Sequence, residues 1–165
     1  MTLVGLAVVL VSGAEAAGPF VLVSGRWDNT VVVLDLAKAL DPANDATPNA
    51  VVNRLRVTPD IDAQGTGRAD TPASGQPVNV VIPPQGRFAY VVNHSGSATE
   101  AAAAAFQHGH VGTVTVLDLT KALEPGNPGT MNAMAAVIPT GGFGPVGLAV
   151  TPDGRFALVS NSEGE

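Results

Sequence analysis

Histidines with metal-ligand spacing stand close together on one segment of the chain. His108 and His110 are separated by one residue, and His94 precedes them. Because alternate side chains of an extended strand point to the same side, His108 and His110 could bind one copper or zinc ion, with His94 as a third ligand. The sequence contains no further histidine. That ligand count favours the alternative, a solvated histidine pair in a surface loop.

Carboxylates and turn residues are concentrated in a second segment, Asp-Ile-Asp-Ala-Gln-Gly-Thr-Gly-Arg-Ala-Asp. It is similar to a degenerate calcium loop in which Asp60, Asp62, Gln64 and Asp70 would supply oxygen ligands. Calcium takes about six to eight oxygens, several of them charged. Gln64 and Thr66 stand where such a loop would carry carboxylates, so the alternative is favoured: a polar loop whose Asp and Gly residues form turns.

The composition excludes several classes of partner and chemistry. A formal net charge of −6, with only eight Lys and Arg residues, leaves no basic stripe that could neutralise a phosphate backbone, so nucleic acid is not an expected partner. Cysteine is absent, which removes thiolate chemistry. The chain also lacks a Gly-x-Ser-x-Gly elbow, a Walker phosphate loop and a His-Glu-x-x-His motif. We therefore assign no catalytic or cofactor-binding residue.

The N-terminus carries an uninterrupted apolar run, Leu3–Val11, followed by Ala14-Glu15-Ala16. This pattern predicts a signal peptide over residues 1–17 and a secreted or periplasmic protein. Nine apolar residues are fewer than the roughly 20 that a membrane span needs, so no stable span is expected. The alternative is a strand: no Lys or Arg precedes the run, and Val4–Val8 repeats Val146–Val150 letter for letter.

Internal repeats dominate the rest of the chain. Phe20, Phe88 and Phe156 lead three similar apolar segments at a constant spacing of 68 residues, and Val31–Pro42 matches Val114–Pro125 at an offset of 83. Turn sequences between β-branched runs predict antiparallel strands. The strands predicted for the second repeat are Val78–Ile82, Phe88–Asn93, Thr113–Leu119 and Ala135–Ile138. Asp35 and Asp118 recur at equivalent strand ends and should accept backbone hydrogen bonds at a turn.

These segments resemble a known repeat. Pro145–Asn161 and Gly112–Leu119 are similar to the YVTN β-propeller repeat, and Tyr90–Asn93 is the nearest match to its naming tetrapeptide. The resemblance implies an all-β chain of antiparallel four-stranded blades, forming an incomplete propeller of about two to two and a half blades. We expect one partial propeller domain over residues 18–165, with repeats at about 18–77, 78–145 and 146–165.

The expected function follows from that architecture. We expect a secreted scaffold or binding module whose blade loops contact a protein, a polymer or a cell-surface ligand, and which has no catalytic centre within these residues. The alternative is part of a propeller enzyme, either a lactonase-like hydrolase or a metal- or cofactor-dependent oxidoreductase. Calcium, copper and zinc are the cofactors to be tested.

Overall fold

The computed structural model describes residues 6–8, 19–26, 29–57, 75–95, 111–124 and 131–163. The strands in these ranges are β1 (Leu6–Val8), β2 (Phe20–Gly25), β3 (Thr30–Asp35), β4 (Val51–Arg56), β5 (Gly75–Val81), β6 (Phe88–Ser95), β7 (Val111–Asp118), β8 (Met134–Val150) and β9 (Ala157–Glu163). Two short α-helices, α1 (Leu36–Ala39) and α2 (Leu119–Ala122), follow β3 and β7. Single-turn 3₁₀ segments occupy Pro42–Asn44, Pro48–Ala50 and Met131–Ala133.

The strands form two sheets in which chain neighbours are also sheet neighbours. One sheet has the order β1-β2-β3-β4 and the other β5-β6-β7-β8-β9, and every pairing is antiparallel. Because each connection joins adjacent strands, both sheets are meanders. The predicted all-β class is confirmed, and β5, β6 and β7 lie where the sequence predicted the first three strands of the second repeat.

The N-terminal apolar run contributes a strand to the first sheet. Leu6–Val8 forms β1 and pairs antiparallel with β2. This agrees with the alternative interpretation of the run, which rested on its identity to Val146–Val150, and those residues lie in β8. Cleavage of residues 1–17 stays a prediction.

The same unit of backbone pairing occurs repeatedly. Along the first two strands of each unit, positions 68 residues apart on the second strand pair with equivalent partners on the first. The matching pairs are Leu6 with Val23, Val80 with Val91, and Leu148 with Val159. On the other side, Leu34 pairs with Val51 and Leu117 with Met134, at the offset of 83 and beside the same ladder irregularity. The sequence repeat is therefore a repeat of register.

Asp35 and Asp118 end the third strand of each unit and begin the helix that follows. Oδ1 of Asp35 accepts a hydrogen bond from the Lys38 amide at 3.1 Å, and Oδ1 of Asp118 accepts one from the Thr120 amide at 2.9 Å. Both residues are thus N-caps, which satisfy amide groups that the first helical turn leaves unpaired. The predicted backbone hydrogen bonds are confirmed, and each helix stands where a turn was expected.

β8 differs from the sequence prediction because it joins two expected strands. The predicted strand Ala135–Ile138 and the strand expected to begin the third repeat at residue 146 both lie inside the single strand Met134–Val150. Its first part pairs with β7 and its second part with β9. Gly141 and Gly144 have positive φ angles of 72° and 57° within it. These left-handed residues allow the strand to bend without ending the ladder.

The two sheets pack front to back around one apolar core. The first sheet contributes Phe20, Leu22, Val31, Val33, Leu55 and Val57, and the second contributes Val80, Ala89, Val91, Leu117, Leu119, Ala122 and Ala133. Leu22 and Val23 are adjacent in β2 and therefore point to opposite faces. We call the Leu22 side of a unit its front face. Since Val91 occupies the unit position of Val23, the second sheet presents its back face to the front of the first.

Phe20, Phe88 and Phe156 share a position in the unit but not an environment. Phe20 is 7% exposed, Phe88 is half-buried and Phe156 is 62% exposed. Phe20 belongs to the core between the sheets, whereas Phe156 leads into β9, the last strand of the second sheet. The expectation of like environments therefore holds for the backbone register and is wrong for burial, because the front face at β9 lacks the covering sheet that Phe20 has.

Candidate functional site: the hairpin end of the sheets

The connections between strands are segregated to opposite ends of the sheets. At one end, which we call the hairpin end, the second strand of each unit turns into the third, at residues 26–29 and 96–110. The connection from β4 to β5, residues 58–74, leaves and returns at this same end because the strands are antiparallel. The helices α1 and α2 and the turns at residues 83–86 and 151–154 lie at the other end. The longest connections therefore share one end.

Polar side chains join the two sheets at the hairpin end. The Asn29 Oδ1 atom accepts a hydrogen bond from the Gln76 amide at 2.8 Å, and the Gln76 Oε1 atom accepts contacts from the Arg26 guanidinium at 3.3 and 3.4 Å. Asn29 and Gln76 both have left-handed backbones, with φ of 56° and 47°. Asn tolerates this conformation, whereas Gln does so at a cost. The contact thus fixes where β5 begins relative to the first hairpin.

A buried polar cluster lies just inside this end. Asn93, which is fully buried in β6, donates from Nδ2 to the hydroxyls of Thr113 at 3.1 Å and Thr115 at 2.9 Å on β7. The Thr115 hydroxyl donates to the carbonyl of Val57, directly after β4 in the first sheet. The Asn93 Oδ1 atom has no hydrogen-bond partner in the part of the chain that the structure describes. The cluster aligns β6 with β7 and links the sheets below the loops.

A second buried amide links the sheets toward the opposite end. Asn53 of β4 is 1% exposed, and its Nδ2 atom donates to the carbonyls of Ala122 at 2.6 Å and Glu124 at 2.7 Å. These carbonyls follow α2, where the last turn of a helix leaves acceptors unpaired. Asn53 therefore closes the end of α2 from the neighbouring sheet and gives the interface a specific alignment.

The helix end carries a repeated arginine–phenylalanine pair and one perturbed carboxylate. The guanidinium carbons of Arg87 and Arg155 lie 4.9 and 5.5 Å from the ring centroids of Phe88 and Phe156. In the turn before Arg155, the Thr151 hydroxyl and the Arg155 amide both donate to the Asp153 carboxylate and lower its pKa. Both features recur from turn geometry, so they belong to the framework.

The sequence-predicted metal ligands fall mostly outside the described residues. Asp60, Asp62, Gln64 and Asp70 of the calcium-type loop, and His108 and His110 of the histidine pair, are all in the undescribed segments 58–74 and 96–110. His94 is described, and it lies half-buried near the end of β6 at the hairpin end. Among the described residues, no group of three or more His, Cys, Asp or Glu side chains could hold a metal ion.

Sequence reasoning missed the residues that organise this end. Asn53, Asn93 and Thr115 interrupt apolar strands, and a polar residue on a buried face was the available signal, since such groups are normally hydrogen-bonded. Gln76 carries no comparable signal. Its φ becomes predictable only by comparison with Gly144, which stands 68 residues later and shares the left-handed conformation.

One glycine spacing has a structural explanation. Residues 142–147 read Gly-Phe-Gly-Pro-Val-Gly, which matches the spacing of a dinucleotide-binding loop. That motif requires a strand, a tight turn and a helix N-terminus. Here all six residues lie inside β8, and the strand continues to Val150. The glycines serve close packing instead: a Cβ on Gly142 would lie 2.4 Å from the Asn161 amide nitrogen.

Comparison with known proteins identifies one distant likeness and no family. No protein-family model matches the chain. A proteasome-associated ATPase from Sanguibacter keddieii is 32% identical over 133 residues, which cover 73% of this chain and 22% of the ATPase. The chain thus spans about a fifth of that relative's length. In the described part of the chain, the helices are all too short and insufficiently apolar to traverse a lipid bilayer.

Proposed function

We propose that the chain is part of a secreted β-propeller of the YVTN type and acts as a binding module, with the hairpin end as its contact surface. The observation that carries this proposal is the segregation of the long connections 58–74 and 96–110 to one end of two stacked sheets. Loops held by a rigid scaffold are the usual location of binding residues. The ligand class is a protein, a polymer or a cell-surface component.

The framework beneath the loops supports this proposal. Asn93 and Thr115 link β6, β7 and the first sheet, while Asn29 and Gln76 fix the start of β5. Buried hydrogen-bonded side chains of this kind restrict relative movement of strands, because each change of register would leave polar groups unpaired. The loop ends are therefore held at defined separations, as a contact surface requires.

The shared unit register supports the propeller assignment. Each unit begins with the same strand pairing, ends its third strand in an aspartate N-cap, and stacks its front on the next back face. Repeated stacking of like sheets is how propellers bury both faces of every blade. The ATPase likeness is not carried into the proposal, since Lys38 and Lys121 each follow a residue other than Gly, and a Walker loop requires Gly-Lys.

A loop exchange within the chain tests the proposal. In the shortened-loop variant, residues 94–112 are replaced by Arg-Trp-Asp-Asn, the connection that the first unit uses at residues 26–29. In the matched control, the turn at 83–86 is replaced by Thr-Pro-Asp-Gly from 151–154, which alters the opposite end. Binding of each variant to immobilised surface-protein and surface-polymer fractions of the source organism is measured by biolayer interferometry.

The expected results separate the two ends of the sheets. The shortened-loop variant should lose binding by about tenfold or more, equivalent to roughly 1.4 kcal/mol, while the turn control binds like the unaltered chain. Equal binding by all three proteins would contradict the proposal, as would binding of neither fraction. Turnover of a lactone, or of a redox dye with added copper, would instead favour the propeller-enzyme alternative.

A further inference from the structure

β9 ends the second sheet with one side of its ladder unoccupied by any described strand. The sheet order places β9 beyond β8, so only one of its edges is paired. In the two complete units, the equivalent strands β2 and β6 pair on both sides, the second side being taken by β3 and β7. An exposed strand edge is a template for pairing with another polypeptide segment.

The complete units show which backbone groups point outward from β9. The Leu36 amide donates to the Pro19 carbonyl at 2.9 Å, and the Leu119 amide donates to the Arg87 carbonyl at 3.0 Å. Hydrogen-bonded pairs alternate along an antiparallel ladder, so Val21 and Ala89, two residues further on, also face the third strand. At the offset of 68, the outward groups of the third unit belong to Arg155, Ala157, Val159 and Asn161.

The opposite orientation of the intervening residues agrees with this assignment. The Phe156 carbonyl accepts a hydrogen bond from the Thr151 amide at 2.9 Å and therefore points toward β8. Phe156 and its alternate neighbour Leu158 are both 62% exposed, whereas Phe20 and Leu22 at the same unit positions are 7% and 0% exposed. The edge of β9 thus has outward backbone groups and an uncovered apolar front beside it.

We propose that the outer edge of β9 binds an extended segment of another polypeptide that carries the unit's third-strand pattern, Val-x-Val-Leu-Asp. The site continues the ladder of the second sheet: the segment would lie antiparallel to β9 with its Asp opposite Phe156, as Asp35 lies opposite Phe20 and Asp118 opposite Phe88. The amide after that Asp would donate to the Arg155 carbonyl. Main-chain hydrogen bonds supply affinity in this mode, and alternate side chains supply specificity.

This site is distinct from the hairpin-end surface. The residues that form it, Arg155 to Asn161, begin at the helix end and run along one sheet edge. Loss of the loop at 96–110 would leave it intact, so the two proposals can fail separately.

The test uses a labelled peptide with the sequence of residues 112–121, Gly-Thr-Val-Thr-Val-Leu-Asp-Leu-Thr-Lys, and the full chain. Fluorescence anisotropy measures binding. A control peptide has the same composition with the apolar and threonine positions exchanged, which shifts the alternation by one residue. Amide hydrogen exchange of the chain, with and without peptide, locates the contact.

The chain variants separate the edge from its apolar front. Val159→Pro removes one outward amide, and Leu158→Asp places a charge on the front face. Leu40→Asp is the matched control, because Leu40 is 73% exposed on the residue that closes α1. We expect the control peptide, Val159→Pro and Leu158→Asp each to weaken binding about tenfold or more, with Leu40→Asp unchanged and new protection at Ala157, Val159 and Asn161.

Several results would overturn the proposal. These are equal binding of both peptides, protection confined to β6 as in strand exchange with β7, or the absence of binding at millimolar peptide. Sedimentation that shows dimers whose formation Val159→Pro abolishes would assign the edge to a second copy of the chain instead. Circular dichroism of each variant verifies that the fold is retained.

Discussion

Asn53→Ala should weaken the contact between the two sheets by a measurable amount. The substitution removes two hydrogen bonds, of 2.6 and 2.7 Å, from the Asn53 amide to the carbonyls of Ala122 and Glu124. Each such bond contributes a net of about 0.5–1.5 kcal/mol, and an acceptor left buried adds to the loss. The Asn53 Oδ1 atom, which has no partner among the described residues, is removed as well and returns part of that loss. We expect a net destabilisation of about 2 kcal/mol.

Urea unfolding followed by circular dichroism measures this effect. With a denaturant slope of about 2 kcal/mol/M, the transition midpoint should fall by about 1 M. The matched control is Asn44→Ala, because Asn44 also donates to a backbone carbonyl, that of Lys38 at 3.1 Å, but is exposed. Its midpoint should change by less than about a quarter of that shift, since exposed groups regain water. Equal midpoints for the two variants would refute the claim that Asn53 bridges the sheets.

The remaining predictions concern backbone strain, close packing, titration and metals. Gln76→Gly should be about 1 kcal/mol more stable than Gln76→Ala, because both lose the same side chain and only Ala keeps the cost of a left-handed backbone. Gly112→Ala should destabilise by roughly 1–3 kcal/mol, since its Cβ would lie 2.0 Å from Cδ of Pro145. NMR titration should find the Asp153 pKa below its ordinary value, and calorimetric titration of the full chain with calcium, copper and zinc should detect no stoichiometric binding.

Each of these predictions has a result that contradicts it. For Gln76, equal urea midpoints of the Gly and Ala variants would exclude strain. For Gly112, the comparison is Gly147→Ala, whose Cβ meets only the Ser160 hydroxyl within 3.4 Å and should cost less. For metals, saturable binding that is lost in His108→Ala, or in Asp62→Ala, would restore the histidine or calcium interpretation.

The sign of the Asp153 effect follows from linkage. Because the folded state lowers the pKa of this carboxyl, its contribution to stability is present above the unfolded value of about 3.9 and is lost as the pH falls through the lower folded value. Thr151→Val removes the largest cause and should move the pKa back toward the ordinary value. An unchanged titration in that variant would show that the hydroxyl contact does not exist in solution.

Repeats made the strands and their register predictable. Once Phe20, Phe88 and Phe156 are aligned, the pairing of one unit predicts the others, and Asp35 and Asp118 are correctly placed as backbone acceptors. The bend in β8 was not predictable, because Pro139 and the glycines after it indicate a break, whereas positive φ at Gly141 and Gly144 preserves the ladder.

The candidate site was less predictable than the fold. Carboxylates and histidines drew attention to Asp62 and His108 because their types suit metals, but type and spacing do not show which side chains converge. Asn53 and Asn93 were overlooked because an amide within an apolar strand has no chemistry of its own. Their role depends on partners contributed by other parts of the chain, in one case 69 residues away.

The difference between the two repeat offsets, 68 and 83, has a practical meaning for protein engineering. The second unit accommodates fifteen more residues than the first between strands that pair in the same way, from Gly25 opposite Thr30 to Asn93 opposite Thr113. The fold thus documents its own tolerance for foreign sequence at this junction. An epitope or an enzyme-recognition tag grafted between β6 and β7 should be displayed without disturbing the sheets.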